Sequence, residues 1–188
     1  MVAVATPTQV LAPGTWTIDP SHSEVSFTVR HLMVSKVRGT FSRFSGTITT
    51  AEDHSQAGVE ATIELASVDT RDEKRDAHLR SPDFFHVERH PEMTYRSRSV
   101  RAVGDNYIVE GELTLRGVTR PVELRLEPNG VSRDPWGGTR AGFSASAEIN
   151  RRDYGVEFNI PLEGGGFVVG DKVSINIEIE AVLQPPQA

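Results

Sequence analysis

Strict alternation of apolar and polar residues recurs six times in this chain, and no other feature limits its fold so narrowly. Val173, Ile175, Ile177 and Ile179 are separated by Ser174, Asn176 and Glu178. The pattern returns in Val25-Phe27-Val29, Val59-Ala61-Ile63-Leu65, Leu113-Leu115, Val122-Leu124-Leu126 and Phe143-Ala145-Ala147-Ile149. Side chains of a strand point to alternate faces, so each run makes a ribbon with one apolar and one wet side. So many ribbons in one chain call for a sheet curled round an apolar interior. That interior, rather than any reactive side chain, is the functional asset the pattern points to.

Composition narrows the function classes. A chain of 188 residues fits one large all-β domain and buries roughly 70% of its unfolded surface, so its core needs no staples. There are no cysteines, which removes disulfides, thiolate nucleophiles and sulfur-held zinc. A formal net charge of -6 with dispersed arginines argues against a nucleic-acid surface. No apolar run is long enough to span a bilayer as a helix. The first basic side chain is Arg30, and Pro7 and Pro13 interrupt the opening residues. The expectation is therefore a flexible tail over 1–14 and a cytoplasmic protein, with a single domain over 15–184 and a short tail over 185–188.

Strands are expected at 16–19, 23–31, 37–49 and 59–68, then at 93–101, 107–116, 121–127, 142–150 and 172–183, with Gly39 as a bend or bulge. Gly104-Asp105 and Arg116-Gly117 read as hairpin turns, and Gly164-Gly165-Gly166 as a flap or a tight strand connection. The period breaks at Thr70-Arg71-Asp72-Glu73, a capping-box spacing that predicts a short helix over about 71–80 before Ser81-Pro82. Ala77, Leu79, Phe84 and Phe85 are its means of docking over a barrel end. About eight long strands suffice for an antiparallel barrel holding one small ligand. A two-sheet sandwich fits the periodicity equally well.

Catalytic constellations are wanting. His22 and His31 lie an odd number of residues apart on one strand and so fall on opposite faces. His86 and His90 form H-x-E-x-H, not the zinc-protease order, and two imidazoles make half a site. There is no G-x-S-x-G elbow and no phosphate cradle. Asp134-Pro135-Trp136 reads as a turn with an exposed or rim-packed indole, and Glu60, Glu64, Glu110 and Glu112 as a solvated outer face. No enzyme activity, metal or cofactor is expected from these residues.

A series of motifs is more specific. Trp16-x-Ile18-Asp19-Pro20-x-His22-Ser23-x-Val25-x-Phe27-x-Val29-x-His31-Leu32 is followed by Val37-x-Gly39-x-Phe41 and Phe44-x-Gly46. Ser67-Val68-Asp69-Thr70, Arg75-Asp76-x-His78-Leu79 and Ser81-Pro82-Asp83-Phe84-Phe85 come next. Gly111-Glu112-Leu113-Thr114-Leu115-x-Gly117-Val118-Thr119, Ile149-x-Arg151-x-Asp153-Tyr154-Gly155 and Gly170-Asp171-x-Val173 complete it. In order and content the series resembles the YceI-like family from residue 15 to about 182. The resemblance implies an extended, lipocalin-like antiparallel β-barrel, which selects barrel over sandwich. It also implies an interior that holds a polyisoprenoid, an isoprenoid quinone or a fatty-acyl lipid, for transport or storage.

On that reading the wall candidates are Phe27, Val29, Phe41, Phe44, Leu65, Phe84, Phe85, Tyr95, Leu115, Phe143 and Phe158. Strand phase supports several of them, whereas the loop aromatics rest on residue type. His31, His78, Arg151 and Asp153 lie within the matched motifs, with structural hydrogen bonding and ligand contact both open. Two other readings stay open. One is a lipid or small-molecule enzyme using His22, His31 or His78 as a proton carrier. The other is a ligand-free interaction module, in which an exposed edge or patch mediates partner binding or a homodimer.

Overall fold

The alternating runs pair into one antiparallel sheet whose two margins meet. The computed structural model describes residues 11 to 186. Strands β1 (Gly14–Ile18), β2 (Glu24–His31), β3 (Ser35–Phe41), β4 (Phe44–Thr50), β5 (Gly58–Glu64) and β6 (Val68–Asp69) precede a single helix, α1 (Glu73–Arg80). Strands β7 (Glu92–Val103), β8 (Asn106–Leu115), β9 (Val118–Arg133), β10 (Thr139–Asn150) and β11 (Val169–Leu183) follow. Closure comes from β11. Its C-terminal part pairs with β1 (Ile18 opposite Ala181), and its N-terminal part pairs with β2 (Phe27 opposite Ile175).

The first six segments are three long strands, each broken once. β1 and β2 both lie against β11, β4 follows β1 as β3 follows β2, and β5 and β6 lie beyond them. The breaks fall at Pro20–His22, at Ser42-Arg43 and at Leu65–Ser67. Counted this way the described residues form a closed, eight-stranded up-and-down barrel with one short α-helix. Closure removes the sheet edges that would otherwise stay unpaired. The expected third and fourth strands are therefore each split in two.

Gly39 is neither a bend nor a bulge, because β2 and β3 keep one register from Val25–Phe41 to His31–Ser35. It leaves room instead. A Cβ there would lie 2.3 Å from Phe27 Cζ. Gly117 meets two demands. It sits with Arg116 in a two-residue turn where both φ are positive, and a Cβ would come within 2.9 Å of His90.

The interior is layered along the axis. At one end Trp16, Ile48, Ala141, Phe143 and Ala181 pack into a fully closed plug. Trp16 Nε1 donates to Thr50 Oγ1 at 2.9 Å, and Thr50 Oγ1 donates to the Ala12 carbonyl at 2.6 Å. Leu11 packs on this plug and β1 begins at Gly14, so the described part of the expected tail is docked. The remainder of that tail and the last two residues lie outside the described residues. A middle layer of Ile63, Leu65, Val68, Tyr95, Val109, Leu113, Val122 and Leu124 follows. The outer face carries cross-strand pairs such as Arg96–Glu60 (2.8 Å) and Arg98–Glu112. They are exposed, and each adds little stability.

Helix α1 closes the other end, but not by the expected cap. Asp72 is the N-cap, and its side chain accepts from the Arg75 amide at 3.0 Å. Thr70 instead donates its amide (2.9 Å) and its hydroxyl (2.5 Å) to Asp76 Oδ1. That makes Asp76 the buried residue of the helix, while Ala77 faces solvent. The glycine run at 164–166 is a tight connection, with Leu162 and Gly166 hydrogen-bonded and Pro161 bridged to Phe167.

Candidate functional site

Above the middle layer the barrel is not filled. A cavity of about 340 Å3 opens beneath α1 and the segments 81–87 and 151–169. That volume falls in the range of small-molecule sites. Strand phase supplies its wall. Val25, Phe27 and Val29 of β2 face Val173 and Ile175 of β11, with Val37, Phe41, Met93, Leu115 and Ile149 completing the ring. The lid adds Leu79, Phe84, Phe85, Val156, Phe158 and Ile160.

Aromatic contacts join the lid pieces. The His78 ring of α1 stands edge-on to Phe84 (centroids 5.0 Å) and to Phe158 (4.8 Å), and Phe84 and Phe158 lie 5.3 Å apart. On the other side of the chamber Phe41 lies between Phe27 (5.6 Å) and Phe85 (5.9 Å). Offset and edge-on rings of this kind gain beyond their buried area.

Polar groups around the cavity are mostly committed to the scaffold. Arg151 is buried, and its guanidinium donates to the carbonyls of Gly170 (2.9 Å), Val156 (2.7 Å) and Val169 (3.3 Å). Burial lowers its pKa from the usual arginine value. Arg75 donates to the hydroxyl and the carbonyl of Thr70, both at 2.8 Å. His78 Nε2 lies 2.8 Å from Asp83 Oδ2 at the outer side of the lid. Arg30 and His31 are at the rim. No carboxylate among the described residues pairs with either.

Seven of the eleven wall candidates line this cavity: Phe27, Val29, Phe41, Phe84, Phe85, Leu115 and Phe158. Four do not. Phe143 lies in the closed plug, and Leu65 and Tyr95 are in the middle layer with Phe44 packed against it. Tyr95 spans that layer, its hydroxyl donating to the Val109 and Val122 carbonyls at 3.1 Å each, and burial raises its pKa. Selection by residue type passed over Val25, Val173 and Ile175, although the alternation puts them on the same phase as Phe27. It also passed over Ile160, Val168 and Val169, which no periodicity marks.

The histidines divide. His22 lies at the plugged end, where its Nδ1 is 3.0 Å from Asp19 Oδ2. Asp19, His22 and Glu180 are the one acid–histidine group among the described residues close enough to hold a metal ion. Arg140 already lies between both carboxylates, 2.9 Å from Asp19 Oδ2 and also bonded to Glu180, and it reaches Asp134 at 3.0 Å. An arginine in that position supplies the positive charge a metal would bring. His86 and His90 have ring centroids 6.0 Å apart, outside the cavity lining.

Against known proteins, the model of the YceI-like domain matches residues 16–181. Protein YceI of Escherichia coli is 42% identical over 164 residues, covering 87% of this chain and 83% of that protein. Among solved structures, Burkholderia cenocepacia BcnA superposes with a TM-score of 0.74 at 22% identity, covering 87% of this chain and 98% of that one. A polyisoprenoid binding domain from Saccharophagus degradans gives 0.67 at 17% identity, covering 92% and 100%. Barrel, lid and ordered motifs agree with the family match over nearly the whole described chain, which belongs to the YceI-like family.

Proposed function

We propose that this protein binds one long apolar chain (a polyisoprenoid, an isoprenoid quinone or a fatty-acyl lipid) in the lidded end of the barrel, for transport or storage. The observation that carries the reading is an apolar chamber of about 340 Å3 whose nearby polar groups, Arg151 and Arg75, are spent on backbone and threonine partners. Each methylene moved from water into such a wall gains about 0.8 kcal/mol. A wall of this kind discriminates chain length weakly, so selectivity for one lipid must come from the rim. The Saccharophagus domain, a structural relative by fold, is described as binding polyisoprenoid, in keeping with this choice of ligand class.

Native mass spectrometry of gently purified protein tests it, followed by solvent extraction and titration with a prenyl quinone. The expected outcome is a bound amphiphile at one per chain, displaced by the quinone. Recovery of no lipid together with no uptake of quinone overturns the reading.

A second reading draws on one contact. His78 lines the cavity and is paired with Asp83, an arrangement that orients an imidazole for proton transfer. If the protein modifies its ligand, His78→Gln abolishes turnover while leaving the ligand bound.

A further inference from the structure

Among the described residues seven large hydrophobic side chains are exposed, and five of them share one place: Leu32, Met33, Val34, Ile160 and Phe167. They belong to two loops, the β2–β3 turn and the segment before β11. Hydrogen bonds tie the loops into one tip, from the Leu32 amide to the Val168 carbonyl (2.9 Å) and from the Val168 amide to the Ile160 carbonyl (3.1 Å). Val34 is 82% exposed. Leu32 and Met33 both have positive φ, a backbone region that bulky residues seldom adopt. The turn thus holds aliphatic side chains outward where Asn-Gly would be the relaxed choice.

The charges beneath the tip are as unusual. Arg30 and Lys36 are directly opposite each other across β2 and β3. Like charges so placed repel, and no carboxylate among the described residues offsets them. Two nearby charges of the opposite sense are already paired. Asp171 is held by Arg152 at 2.8 Å, and Glu148 by Lys172 at 3.1 Å. Glu163, in the second loop, has no basic partner among the described residues. The net charge of -6 would repel an anionic surface, but only charges within about 10 Å of that surface act strongly at 0.1 M salt.

From these observations we infer that the tip is a docking face for an anionic phospholipid bilayer, through which the cavity is loaded and emptied. The inference rests on the reading of the cavity as a lipid site. Apolar side chains at the extremity with cations just behind them match the order of acyl region and anionic head group. The tip is also continuous with the chamber, because Arg30, His31, Ile160 and Val168 line the cavity rim. A chain leaving the barrel would pass along apolar residues into the membrane without crossing water.

Vesicle flotation tests this, using phosphatidylcholine alone and phosphatidylcholine mixed with phosphatidylglycerol. The expected result is flotation with the mixed vesicles that weakens with salt, and little with the neutral ones. The Met33→Ser, Val34→Ser, Phe167→Ser triple variant should partition at least about tenfold less. Lys36→Gln should lose about fivefold, and Glu163→Gln should gain. Uptake of a fluorescent prenyl probe from solution should be unchanged in the triple variant. The docking face is overturned if the wild type does not float, or if the triple variant floats equally well. It is also overturned if the triple variant turns a dimer into a monomer in the ultracentrifuge without changing flotation. Probe uptake without flotation removes only the docking face, and tip-dependent flotation without probe uptake removes only the lipid reading of the cavity.

Discussion

Arg151 shows how a charged side chain can stand beside an apolar chamber without serving as its head-group clamp. Its donors are spent on three carbonyls of the lid and of β11. Arg151→Met would remove the charged donor from these carbonyls, with the buried Val156 carbonyl bearing most of the loss while Val169 keeps Asn159 Nδ2 at 2.7 Å, at a cost of about 1–3 kcal/mol. Urea unfolding should show this as a lower midpoint at unchanged slope. At the other end Asp19 accepts from Ser21, then from His22 and Arg140, and these bonds hold its carboxyl well below the usual carboxylate range. Its pKa is lower folded than unfolded, so the stability it contributes is complete above about pH 4 and is lost as pH falls below that. Asp19→Asn should therefore lower the melting temperature at pH 7 by several degrees, with the gap from the wild type closing toward pH 3. Differential scanning fluorimetry across that range checks the sign. The matched motifs held Asp19, His22, Arg151 and Gly170, and left hydrogen bonding and ligand contact both open for Arg151, but nothing marked Arg140, because it and Asp19 are far apart along the chain and meet only through the barrel register.

At the scale of elements, α1 illustrates what local pattern can and cannot supply. The capping-box spacing and the break in period located a short helix over about 71–80, and it forms over Glu73–Arg80. The Thr70–Glu73 spacing put the cap at Thr70, whereas the fold uses Asp72 as the N-cap because Thr70 is bonded to Asp76. The Asp76–Thr70 bonds are buried and charge-assisted, so they anchor the lid to β6 rather than only starting a helix. Asp76→Ala should loosen the lid before the barrel. Hydrogen exchange is expected to rise first over residues 70–80, with β8 and β9 protected as in the wild type and a global loss of about 1.5–3 kcal/mol. A uniform rise across the barrel would show that α1 does not open separately.

For the whole molecule, alternation told which face of each strand is inside, but not how deep each residue lies. Along β11 a single phase passes from the chamber (Val173, Ile175) through the middle layer (Ile177) to the plug (Ile179, Ala181). On β10, Ile149 lines the cavity, whereas Phe143, six residues and roughly 20 Å away at strand rise, fills the closed end. Depth depends on register and on closure, which a one-dimensional period does not carry, and this is why Phe143 was placed on the wall with Phe27. The layering makes the chamber separable from the fold. Val29 faces the cavity and pairs with Val173, so Val29→Trp would grow into empty space rather than into packed atoms. Filling a void of this kind preserves or raises stability, at roughly 24 cal/mol per Å3 of cavity removed. The expected outcome is a melting temperature equal to or above wild type with at least about a hundredfold loss of prenyl quinone affinity, since several methylenes lose their wall at once. Trp136→Ser, at an exposed turn between β9 and β10, should leave both unchanged. If the Val29→Trp protein is stable and still binds the quinone as the wild type does, the ligand does not occupy this chamber, whatever the fold around it.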